Sequence, residues 1–267
     1  MLRSLFTAIS GLTAHQQMLD VTANNIANVN TTGFKGSSTQ FEATLSQTLS
    51  AGGAATATSG GTNPIQIGLG VKVAGTATNF TQGSSQATGV TSNLLINGDG
   101  FFMVNKNGQQ LYTRAGAFTL DAAGHLVTPD GSMAEDPTGT VLNLSALTSG
   151  SYVSWSIDPS GNVNAVDSTG ATTNLGQIGL ATFANPNGLV QVGDTAYQAS
   201  SSSGAAQLGA ANTGSRGSLS SGYVEMSNVD LSQQLTNLII AERGFQANSK
   251  VITTSDEVLQ TLVNLKN

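Results

Sequence analysis

Apolar side chains recur at spacings of three, four and seven residues at both ends of this chain, the first series alternating threes and fours. Leu2, Leu5, Ile9, Leu12, Gln16, Leu19, Ala23 and Ile26 form the first series, interrupted only by Gln16 and the small Ala23. A heptad seam sustained over more than three repeats specifies a long helix with one face made for another helix. It should run from about residue 4 to about residue 28, a rod of roughly 35–40 Å at ~1.5 Å per residue. Asn24, Asn25, Asn28 and Asn30 crowd its end and Gly33 follows. Both residue types tolerate the left-handed backbone that stops helices. Leu231, Leu235, Leu238, Phe245, Ile252, Leu259 and Leu262 repeat the pattern near the C-terminus. Asp230 or Asn228 is placed to cap that helix, because their side chains accept orphan backbone N–H bonds. Gly244 is a weak point, costing ~1 kcal/mol relative to alanine. The two helices are expected to pair as a coiled coil and to offer their remaining apolar surface to neighbouring molecules. A plain intramolecular hairpin of helices would satisfy the same pattern.

The middle of the chain reads differently. Leu94-Leu95-Ile96, Phe101–104, Leu111-Tyr112-Thr113, Phe118-Thr119-Leu120 and Leu126-Val127-Thr128 are short apolar runs separated by Asn-, Asp- and Gly-rich turns. Strands at roughly eight-residue spacing, with Gly and Asn supplying positive φ, indicate antiparallel β structure. Further strands are expected at 152–157, 162–166, 178–183 and 196–197. Residues 46–61 and 200–221, rich in Ser, Gly and Ala or Thr, read as extended connectors. The fold class is therefore α+β. The helical part comprises 1–30 and 226–267, the connector 31–75, and the β-rich outer domain 76–225.

Composition narrows the chemistry. Only 24 of 267 residues are charged, 9 basic and 15 acidic, against 30 Ser, 32 Thr and 32 Gly. The net charge of −6 repels a phosphate backbone, so nucleic acid is not an expected partner. A surface so poor in charge suits subunits that pack together. Cysteine is absent, which excludes disulfides, thiolate metal sites and a cysteine nucleophile. His15, on the first helix, and His125, at a strand start, have no triad logic around them. Asp99, Asp121 and Asp130 read as turn formers rather than calcium ligands. No catalytic, cofactor or metal site is expected. No apolar run reaches the ~18–20 residues of a membrane helix, and Met1–Phe6 is followed by no signal-peptidase pattern.

Three motifs carry a family resemblance. Ala23-Asn24-Asn25-Ile26-Ala27-Asn28 with Thr32-Gly33-Phe34-Lys35 is similar to the signature of the bacterial flagellar axial (rod and hook) proteins. Gly98-Asp99-Gly100-Phe101-Phe102 and Tyr112-Thr113-Arg114-Ala115-Gly116-Ala117-Phe118 resemble that family's β-domain motif. Ala241-Glu242-Arg243-Gly244-Phe245-Gln246-Ala247-Asn248 resembles its closing helix. Within the family the resemblance is greatest to hook proteins of the short type, notably at Thr253-Thr254-Ser255-Asp256-Glu257-Val258-Leu259. It implies an extracellular hook subunit, exported without a cleaved signal and polymerised into a tubular universal joint that passes motor torque to the filament. The implied partners are further copies of itself, the distal rod protein, the hook cap protein, the hook–filament junction protein and the flagellar export apparatus. The same layout serves the distal rod, a drive shaft within the envelope, as the alternative; a secreted β-rich hydrolase or adhesin is the remote one, and it would leave the two terminal heptad series without a purpose. The residues expected to carry assembly are Leu5, Ile9, Leu12, Leu19, Asn25, Ile26, Asn28, Leu231, Leu235, Leu238, Phe245, Ile252, Leu259 and Leu262.

Overall fold

A computed structural model describes residues 2–56, 60–148, 150 and 152–265. Among the described residues the α-helices are α1 (Leu2–Ala27), the single turn α2 (Ser145–Thr148) and α3 (Leu231–Leu265). The chain divides into two compact units. One holds residues 1–27, 37–78 and 230–267; the other holds 28–36 and 79–229.

In the first unit α1 and α3 lie side by side and antiparallel. A methyl group added at Gly11 would meet the Asn248 amide at 2.8 Å, and one added at Gly244 would strike the His15 ring. Asn25 bonds Gln234. As one residue number rises, its opposite falls in step. The face of α1 that is buried carries Ala8, Gly11, Ala14, Thr22 and Asn25. The only fully buried residue of α3, among those described, is Ala241. This corrects the expected seam. The leucine series does not form the buried face of the pair; small and polar residues do, because the backbones approach too closely for large side chains between them. Asp230 caps α3, its Oδ1 accepting from Ser232 N at 2.8 Å and Gln233 N at 3.2 Å. Asn228 works in the second unit instead, where it accepts from Gly36 N.

The stretch 31–75, expected to be a connector, holds strands β1 (Ser37–Ala43), β2 (Ser46–Ser50), β3 (Ile65–Gly68) and β4 (Val71–Thr78). β1 pairs antiparallel with β4, and β2 with β3. Cross-strand bonds form here despite linker-like composition, because Ser and Thr accept extended backbone and the pairing itself is non-local. Glu42 and Lys72 face each other across the ladder at 3.3 Å. Residues 57–59 of the expected connector lie outside the described residues.

The second unit is built on strands β5 (Ser85–Ala87), β6 (Leu94–Asn97), β7 (Phe101–Lys106) and β8 (Gln109–Thr113), then β9 (Thr119–Leu120), β10 (Leu126–Val127) and β11 (Met133–Ala134). After α2 come β12 (Tyr152–Ile157), β13 (Asn162–Asp167), β14 (Thr172–Gln177), β15 (Gly179–Thr182), β16 (Val190–Gly193), β17 (Ala196–Gln198), β18 (Gln207–Ala210), β19 (Ser218–Ser221) and β20 (Tyr223–Glu225). Every pairing is antiparallel, and the largest sheet centres on β7, flanked by β8, β11 and β15. Phe102 and Val104 point into one core with Leu111, Phe118 and Leu180. Phe101 and Met103 point into a second with Tyr112 and Tyr197. Burial on both faces explains why β7 reads as an unbroken apolar run rather than an alternation. β18 and β19 occupy the second expected connector, each zipped to a more apolar strand, β15 and β6.

Aspartates tie many of its turns. Burial pushes the carboxyls of Asp130 and Asp136 up, but hydrogen bonds outweigh it: from Ser132, Thr128 and Lys106 on Asp130, and from Thr138 and Thr140 on Asp136. Asp167 is likewise lowered, chiefly by Thr169. All three sit below the ordinary 3.8. A carboxylate lowered on folding adds stability that is present above its unfolded value and is lost as pH falls through the folded one. The melting temperature is therefore expected to hold down to about pH 4 and to drop steeply below it. Thermal melts followed by circular dichroism across that range check this, and a flat profile into strong acid would contradict it.

Candidate assembly surface

No arrangement for bond chemistry stands out. Among the described residues no three of His, Asp and Glu cluster closely enough to hold a metal. None of the described helices is long and apolar enough to cross a membrane. His15 sits where α1 meets Gly244 and stacks obliquely on Phe41 at 5.9 Å, a packing position.

What the first unit does present is apolar surface. Ile9, Leu231, Leu235 and Leu262 are exposed, and so are Phe6, Ile239, Ile240, Val258 and Val263 nearby. Leu5, Leu12, Leu19, Ile26, Leu238, Phe245, Ile252 and Leu259 are half-buried at the flanks of the helix pair. Phe41, Leu45, Leu49, Ile65, Ile67 and Leu69 add exposed side chains on and beside β1 to β3. Isolated exposed apolar residues are ordinary, but so many on one unit mark a surface meant to be covered.

Asn25 and Asn28 part company. Asn25 is 1% exposed. Its Nδ2 donates to Ser37 O at 2.7 Å and to Gln234 Oε1 at 3.2 Å, and its Oδ1 accepts from Ser37 N at 3.0 Å. It therefore joins α1, β1 and α3 inside one molecule. Asn28 is half-buried and its Oδ1 accepts from Thr31 Oγ1, a local turn. Asn25→Ala removes the partner of three groups on the half-buried Ser37 and Gln234, at ~1–3 kcal/mol for each one left unmet by water. We expect it to lower the melting temperature by several degrees and Asn30→Ala to leave it unchanged; differential scanning calorimetry reads both.

The second unit holds a charge cluster that periodicity could not reveal. Lys35 and Glu225 are fully buried at 2.6 Å. Arg114 Nη1 lies 3.5 Å from the other Glu225 oxygen, and Arg114 Nη2 donates to Gly98 O at 2.9 Å. Lys35 also donates to Thr81 O, and Glu225 accepts from Gly83 N. Burial lowers the Lys35 pKa, opposed by Glu225, and burial also lowers that of Arg114. Gly33, at φ +69°, lets the preceding segment run against Ala115, where a side chain would collide with backbone. Three of only 24 charged residues are thus spent on fixing residues 33–35 to the β unit. Their scarcity in the sequence was the available signal, since a buried charge is rare unless paired.

Comparison with known proteins falls on the same segments. Residues 5–35 match the model described as flagella basal body rod protein, residues 95–165 the flagellar hook protein FlgE/F/G D1 domain, and residues 220–265 the flagellar basal body rod FlgEFG protein C-terminal model. The flagellar basal-body rod protein FlgG of Bacillus subtilis is 49% identical over 269 residues, covering all of both chains. That of Borreliella burgdorferi is 36% identical over 273 residues, covering all of this chain and 99% of the relative. The flagellar hook protein FlgE of the same organism is 29% identical, in an alignment spread over 442 positions. The chain belongs to the flagellar axial protein family, the structural rod and hook proteins. Its relatives are components of the basal body and hook, not enzymes.

Proposed function

We propose that this chain is a subunit of the flagellar rod, of the distal drive-shaft type, and that it acts by polymerising with copies of itself. The observation that carries this reading is the gap-poor 49% identity with a rod protein along the entire chain. The hook relatives at 29% and 26% align only over 442 and 462 positions, far beyond the 267 residues here. The first expectation of a hook subunit accordingly gives way to its alternative, inside the envelope rather than outside the cell. The exposed apolar side chains of the first unit supply the driving force for polymerisation, since burying such area is favourable and is not screened by salt. Assembly contacts through the leucines named above, and export through the flagellum's own apparatus, are part of the same proposal.

The test is position. A small epitope at the chain's β unit, labelled with gold on purified hook–basal bodies, should mark the rod below the hook. Cells lacking the protein should show a shortened rod and no hook. Label along the hook itself, or a full-length rod in the deletion strain, would overturn the rod assignment.

A further inference from the structure

Each of the two long helices carries a single glycine, Gly11 in α1 and Gly244 in α3. Each glycine lies opposite a side chain of the other helix. A Cβ built on Gly244 would drive into the His15 ring, and one built on Gly11 would stand 2.8 Å from Asn248 Oδ1, where ordinary contact begins at 3.4 Å. His15 and Asn248 thus fill space that exists only because a side chain is missing. The two seats support each other. Residues 11 and 15 share one face of α1, and 244 and 248 share one face of α3, each pair about a turn apart. Asn248 Nδ2 donates to Gly244 O at 2.9 Å, so the side chain in one notch is braced on the backbone of the other. The His15 ring has Phe41 of β1 beside it, with ring centres 5.9 Å apart. Its Nδ1 is buried without a hydrogen-bond partner, so shape and not that nitrogen holds the ring in place.

We propose that these two reciprocal seats, His15 in the Gly244 notch and Asn248 in the Gly11 notch, are what makes α1 and α3 select each other in a single register. The leucine series cannot do this. A repeating apolar stripe offers similar contacts after a slip along the axis, and Ile9, Leu231, Leu235 and Leu262 point away from the pair in any case. A notch opposite a ring occurs once. A slip of four residues, about one turn, would set His15 against Asn248 or Ile240, which carry side chains where Gly244 has none. The bond from Asn25 to Gln234 obeys the same register, ten residues onward along α1 and ten back along α3. The interlock belongs to the folded chain, whichever part of the flagellum that chain builds. It also reverses the sign of a simple substitution. Alanine is the better helix former, so Gly244→Ala would stabilise α3 if that glycine were only a weak point. Against a ring backed by Phe41, the added methyl instead forces the helices apart.

Thermal melts of the dilute full chain, followed by circular dichroism at 222 nm where the helices dominate, test this. Gly244→Ala should lower the midpoint by at least about 3 °C. Made in a His15→Ala chain, the same substitution should raise the midpoint by a few degrees, because helix propensity then acts alone. Gly11→Ala should behave in the same way toward Asn248→Ala, on a smaller scale, since the group it meets is smaller. The crossed combinations should show no change of sign: Gly244→Ala still lowers the midpoint in an Asn248→Ala chain, and Gly11→Ala still lowers it in a His15→Ala chain. A Gly244→Ala midpoint at or above that of the parent overturns the interlock. So does an equal loss with and without His15, or a reversal produced by the crossed partner. Should Gly244→Ala fail to fold, the His15→Ala background decides: a folded double variant supports the interlock, and an unfolded one beside a folded His15→Ala chain overturns it.

Discussion

Aspartate in place of Leu235 or Leu262 is expected to leave the monomer folded and to abolish its polymerisation. Both side chains are about half exposed, at 47% and 50%, so a carboxylate at either position stays in water while the chain is alone. Substitutions of that kind usually change stability by less than about 0.5 kcal/mol. In a polymer that covers the outer face of α3, the same carboxylate must give up its hydration without a partner, and that costs several kcal/mol. Each ~1.4 kcal/mol is tenfold in affinity, so the critical concentration should rise at least about a hundredfold. Ala241→Asp is the contrast. It puts the charge where α1 and α3 touch, at 0% exposure, and should melt the helix pair itself. Sedimentation velocity separates the two outcomes when run beside far-ultraviolet circular dichroism. Polymerisation of the Leu235 and Leu262 variants at the parent concentration would remove this face from the assembly.

Glu225→Ala should be the most damaging single change to the β unit. It deletes the one anion paired with both Lys35 and Arg114, leaves the buried Lys35 ammonium with no paired carboxylate, and leaves Arg114 with only the exposed Asp99 as counter-charge. Breaking a buried pair from one side costs about 3–5 kcal/mol, a large share of the 5–15 kcal/mol that holds an ordinary domain together. Replacing both ends, with Lys35→Met and Glu225→Gln, removes the uncompensated ammonium and should recover a good part of the loss. Urea titrations of Lys35→Met, of Glu225→Gln and of the double variant give the coupling energy directly. A single variant within about 1 kcal/mol of the parent would show that the cluster is incidental to stability.

Much of this could be read from the chain before any coordinates. The three-four spacing from Leu5 to Ile26 and the threes, fours and sevens from Leu231 to Leu262 specified two long helices, because a 3.6-residue period leaves few alternatives. Strands β6, β7, β8 and β12 fell where apolar runs and Gly–Asn turns placed them, since those turns depend only on local φ. Local composition misled at 37–78 and at 207–221. A Ser-, Thr- and Gly-rich stretch carries no sign of the strand it will meet, and pairing is decided by that distant partner.

The tertiary structure alone decided which faces are inside. The heptads announced a seam of leucines, yet the helices meet on Ala8, Gly11, Ala14 and Ala241 and leave Leu235 and Leu262 in solvent. Periodicity marks a stripe as apolar, but it does not say whether the same molecule or the next one covers it. The same holds for Lys35, Arg114 and Glu225. The sequence by itself determined that charges would be few and helices long; it took the fold to bring residues 190 positions apart to 2.6 Å, because an ion pair is a property of three-dimensional distance and of the water excluded around it.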